Sequence, residues 1–61
     1  MRYEIYYLKN GREICESFKI KRDCIYRLKE IILNDKDNEI DSVIYGPVSY
    51  YQEKRLKRVE R

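Results

Sequence analysis

A chain of 61 residues holds one domain at most. At that size only about 60% of the unfolded surface is buried, so the core is marginal and a partner or staple is expected to support it. Charged residues are 41% and hydrophobic residues 43% of the chain, which excludes a disordered composition.

Two cysteines and no histidine cannot supply four zinc ligands within one chain, and they are too few for a secreted disulfide framework. Cys15 and Cys24 are therefore expected as free thiols in a cytoplasmic protein, with no metal and no cofactor. The charged, aromatic opening does not read as a leader, and no apolar run reaches the roughly 20 residues of a membrane span, so no membrane partner is expected.

The first predicted element is a β-hairpin over residues 1–20. Asn10-Gly11 separates two runs rich in Tyr and Ile, and Asn-Gly suits a two-residue turn in which both positions need positive φ. That turn sets Lys9 opposite Arg12, Leu8 opposite Glu13, Tyr7 opposite Ile14, Tyr6 opposite Cys15 and Tyr3 opposite Phe18. Strand side chains alternate between faces. One face thus collects Tyr3, Ile5, Tyr7, Ile14, Phe18 and Ile20 as candidate core, with Glu16 as its one misfit. The other carries Tyr6, Leu8 and Cys15 among the charges Arg2, Glu4, Glu13 and Lys19.

A helix is predicted over 22–34, where Cys24, Ile25, Leu28, Ile31 and Ile32 share one side and Asp23 stands near the start to cap free N–H groups and meet the helix dipole. Asp35 to Asn38 read as a solvated stop. The alternating acids Asp35, Asp37, Glu39 and Asp41 resemble the start of a calcium loop only briefly. Positions six and twelve, which need Gly and Glu, hold Ile40 and Gly46. A third strand follows over 40–45, ended by Gly46-Pro47. The tail, 48–61, has two readings: a helix opened by Ser49 and Gln52 as a capping box, or an extended strand. The expected architecture is α+β, a β-β-α-β domain with one helix packed on a three-stranded sheet and a basic C-terminal helix or strand.

Charge is uneven along the chain. Residues 1–51 balance nine basic against nine acidic residues, so the net +3 arises entirely in residues 52–61. There Lys54, Arg55, Lys57 and Arg58, preceded by Tyr50 and Tyr51, could hold phosphates while a ring stacks on a base, against the plainer reading of a solvated terminus.

No histidine is available as a base near neutral pH, no serine has a nucleophile-elbow context, and Cys15 and Cys24 lack C-x-x-C spacing. A non-enzyme is expected. Seven tyrosines are a rich supply of interface anchors. Tyr6, Leu8, Cys15, Tyr26, Tyr50 and Tyr51 are the candidate partner-binding residues, with partial coverage by Lys and Arg stems as the plainer account. The leading expectation is a non-catalytic protein-binding module, plausible as a homodimer, that occludes or bridges a larger macromolecule. The alternative is a small nucleic-acid-binding protein using the basic tail. In size and organisation alone the chain is similar to small phage or mobile-element proteins, some of which are inhibitors that occlude host nucleases.

Overall fold

The computed structural model describes residues 2–48 and 57–59. β1 (Arg2–Lys9) and β2 (Arg12–Phe18) form the hairpin, α1 (Lys21–Asn34) follows, and β3 (Ile40–Val48) and β4 (Lys57–Arg58) complete the sheet. The strand order is β2-β1-β3-β4 with every neighbouring pair antiparallel. The fold is a small α+β arrangement of one helix and one four-stranded sheet.

The hairpin adopts the register that its turn dictates. Asn10 and Gly11 have φ of 53° and 78°, both positive as a tight two-residue turn requires. Tyr3 faces Phe18, Tyr6 faces Cys15 and Lys9 faces Arg12. α1 begins at Lys21, one residue before the predicted start. Ile20 is its N-cap and provides no side-chain cap, so Asp23 acts on the first turn only through the helix dipole. At the other end the Asp35 carboxylate accepts the backbone N–H groups of Glu39 (2.8 Å) and Ile40 (3.2 Å), turning the chain directly into β3.

The core lies between α1 and the inner sheet face. Ile5, Tyr7, Cys24, Leu28, Ile31, Ile40 and Val43 are buried, and Tyr3, Ile14, Phe18, Ile25, Ile32, Tyr45 and Val59 pack partly against them. The predicted face is therefore the core face, but its far end is poorly covered: Phe18 is only half-buried and Ile20 is exposed.

Two expectations are corrected. The sheet has four strands instead of three, because Lys57–Arg58 pair with Tyr45 and Ile44, and the Val59 N–H donates to the Val43 carbonyl at 2.8 Å. The last strand before that segment also does not stop at 45. β3 runs through Gly46 and Pro47 to Val48. Tyr50, Tyr51, Lys54 and Arg55 lie outside the described residues. No helix among the described residues is long and apolar enough to cross a membrane.

Candidate functional site

One helix covers one face of a sheet, so the second face is left to other means. On that outer face the register places Tyr6 between Cys15 on β2 and Ile44 on β3, and Leu8 between Glu13 and Asp41. Between Tyr6 and Leu8 the pairing with β3 shifts, so that Ser42 and Val43 together oppose Tyr7. This is a β-bulge. Its first residue, Ser42, has φ of 53°, a left-handed conformation normally given to glycine.

The bulge decides the composition of the face. Strict alternation would put Ile40 and Ile44 on one side. With one extra residue between them, Ile40 and Val43 both enter the core while Ile44 turns outward. Ile44 then joins Tyr6, Leu8 and Cys15, with Glu13 and Ser42, around an open groove of about 660 Å³. That volume falls within the range of ligand pockets, and its walls are chiefly apolar.

Beside the groove lies Glu4, buried to 4% exposure although it stands on the face away from the helix. Its register neighbours are Ser17 and Gly46, one short and one without a side chain, which leaves room for the carboxylate. The Tyr6 hydroxyl donates to Glu4 Oε1 and the Ser17 hydroxyl to Oε2 at 3.2 Å, while Arg2 Nε lies 3.4 Å from Oε2. The Cys15 thiol is 4.0 Å from the same oxygen. Tyr6 is therefore held at its tip by a buried carboxylate, and its ring is presented to the groove in a fixed position.

The inner-face misfit, Glu16, is resolved by the helix. Arg27 grips it with two bonds, Nε to Oε1 at 2.8 Å and Nη2 to Oε2 at 3.2 Å, and the Tyr7 hydroxyl donates to Oε2 at 2.8 Å. The hydrogen bonds from Arg27 hold the Glu16 carboxyl below its ordinary pKa, against the opposing effect of burial. Burial and the Glu16 carboxylate push the Tyr7 phenol up. This cluster ties the helix to the sheet; of its members only Tyr7 also borders the groove.

Of the predicted binding residues, Tyr6, Leu8 and Cys15 are brought together. Tyr26 is not. It is 74% exposed on the solvent side of α1, across the helix and sheet from the groove. Lys57 and Arg58 are exposed neighbours on β4, in register with Tyr45 and Ile44, and so project to opposite faces of the sheet. Cys24 is fully buried under the helix, so alternation separates the two thiols by the sheet, and both are free. The sequence reading missed Glu4, Ser42 and Ile44. Nothing local in the sequence marks Glu4 as buried, since Gly46 is brought beside it only by the β1–β3 pairing; nothing local marks the bulge that brings in the other two. Comparison of the chain with protein-family models, with curated proteins and with solved structures finds no match.

Proposed function

We propose that this protein is a non-catalytic binding module that seats an apolar ridge of a protein partner in the outer-face groove, covering part of that partner's surface. The observation that carries this reading is the groove itself: Tyr6, Leu8, Cys15 and Ile44 line an open cleft on the face that the helix leaves uncovered. Tyrosine is among the residues that most often anchor protein interfaces, and Tyr6 stands at the centre of this set, between Cys15 and Ile44. Glu4 adds preorganisation, because a tyrosine already fixed at its hydroxyl loses little freedom on binding. Among the described residues of the basic segment, Lys57 and Arg58 project to opposite faces of the sheet, which gives the nucleic-acid alternative no shared cationic surface from that pair.

The thiols provide the test. Cys15 is exposed and lines the groove, whereas Cys24 is buried and its thiol pKa is pushed up by desolvation. Maleimide-benzophenone should therefore label Cys15 selectively. Irradiation in extract of the native host should yield a discrete protein adduct that Leu8→Glu abolishes. An adduct made of nucleic acid, with binding that falls steeply as salt rises, would replace this reading with the alternative.

A further inference from the structure

We infer that the occupant of the groove is the helix of a second copy of this chain, so that α1 of one molecule docks on the outer sheet face of the next. The inference rests on the groove being a binding face, as proposed above, and it names the partner.

The argument begins with helical spacing. Arg22, Tyr26, Lys29 and Leu33 are four, three and four residues apart, which stacks them in one stripe. The stripe lies directly opposite the buried Cys24, Leu28 and Ile31. Tyr26 and Leu33 are 74% and 77% exposed, and with Ile20 they are the large exposed hydrophobic residues among those described. Two exposed apolar anchors two turns apart on a helix form a binding ridge of the helix-in-groove kind. They are separated by about 10 Å along the axis. The domain therefore carries a convex apolar ridge on one side and a concave apolar groove on the other.

Charge fits the same pairing. Two cations, Arg22 and Lys29, lie on the ridge, and the acid that flanks it, Glu30, is already held by Arg27. Glu13 lines the groove, and Asp41 flanks Leu8 in register on its other side. Arg22, Lys29, Glu13 and Asp41 are all exposed, and none of them forms an ion pair among the described residues. A twofold dimer of two outer faces would instead set two concave surfaces against each other and crowd four carboxylates at the join. Helix on sheet is also the layer packing that this fold already uses on its inner face. Adding it to the outer face would bury apolar surface that a chain this small lacks. Each copy offers both halves of the contact, so association runs head to tail and continues beyond the dimer unless it closes into a ring.

Sedimentation velocity of the full chain, from low micromolar to millimolar, tests this. The wild type should grow progressively past a dimer. Leu8→Glu removes the groove and a Tyr26→Glu/Leu33→Glu double variant removes the ridge. Each alone should weaken association on the order of 30-fold or more, the size of a hot-spot loss, while circular dichroism stays unchanged. Mixed together they should form a 1:1 heterodimer that grows no further, because one intact ridge meets one intact groove. If Leu8→Glu fails to fold, the charge reversals Glu13→Lys/Asp41→Lys and Arg22→Glu/Lys29→Glu serve instead: each should dissociate and their mixture should reassociate. A strictly monomeric wild type overturns the inference. So does a dimer that survives Tyr26→Glu/Leu33→Glu, which would mean pairing of outer faces. In both cases a Cys15 adduct with another protein would leave the groove reading standing. Oligomers that Leu8→Glu does not affect would overturn both.

Discussion

The two faces of the sheet are built from the same strands, and each has to accommodate one carboxylate. On the inner face it is Glu16, on the outer face Glu4. Each accepts a tyrosine hydroxyl and faces an arginine: Tyr7 and Arg27 for Glu16, Tyr6 and Arg2 for Glu4. The adjacent residues Tyr6 and Tyr7 thus do the same task on opposite sides. The difference lies in where the arginine comes from. Arg27 reaches Glu16 from α1, so the inner carboxylate ties two layers together. Arg2 belongs to β1 itself, and Ser17 to its hairpin partner, so these bonds to Glu4 brace the hairpin without recruiting the helix. A carboxylate that interrupts an apolar face can therefore be a joint between layers or a brace within one.

The contrast predicts unequal costs for equivalent truncations. Ile5 is fully buried on the inner face, and Ile5→Ala should cost about 2–5 kcal/mol. Leu8 is half-buried on the outer face, and Leu8→Ala should cost only about 1 kcal/mol. Urea titrations at a concentration too low for self-association would measure both. Equal costs would mean that the outer face is as closely packed as the inner one.

The edge of the sheet offers a second way to break the comparison. Val59 packs against the core and donates to Val43, so residues 57–59 are anchored to the sheet. Deleting residues 57–61 removes that contact and bares the edge of β3. The expected loss is about 1–3 kcal/mol, read from the urea midpoint, with Ile44 and Val43 left beside an open edge. Unchanged stability would return the tail to a peripheral role.

Acid sharpens the comparison from the inner side. The Glu16 pKa is lowered in the folded protein, chiefly by the Arg27 hydrogen bonds. Its contribution is therefore complete above the ordinary carboxylate range and is lost as pH falls through the folded value. Glu16→Gln should be less stable than the wild type near neutral pH, and the gap should close as the solution is acidified. Parallel urea midpoints across that range would show it. A gap independent of pH would mean that Glu16 acts through packing and not through its charge.

The inner face was far more legible in the sequence than the outer one. Asn10-Gly11 sets a turn, the turn sets a register, and alternation then assigns Ile5 and Tyr7 to the core with no further information. The helix follows from spacing in the same way. These are local rules, and they held where partners are close along the chain. Phe18 shows their limit: it lies on the correct face but near a margin that the helix covers incompletely. The register neighbours of Glu4, Ser17 and Gly46, are distant from it in sequence. The fourth strand depends on a two-residue segment with no apolar alternation to announce it.

Ser42 shows most directly why the groove stayed hidden, and it yields the smallest expected effect. One added residue reverses the parity of β3, and the left-handed φ that this needs costs a non-glycine residue roughly 1 kcal/mol. Ser42→Gly relieves that cost but adds freedom to the unfolded chain, worth about 0.4–1 kcal/mol in the opposite sense. The two nearly cancel, so the variant should match the wild type within about 1 kcal/mol. Ser42→Val should lose about 1–3 kcal/mol, because a β-branched residue fits this conformation poorly. Thermal melts of the pair decide it. If valine is tolerated as well as glycine, the bulge is not held at Ser42, Ile44 need not turn outward, and the outer face loses a wall of its groove.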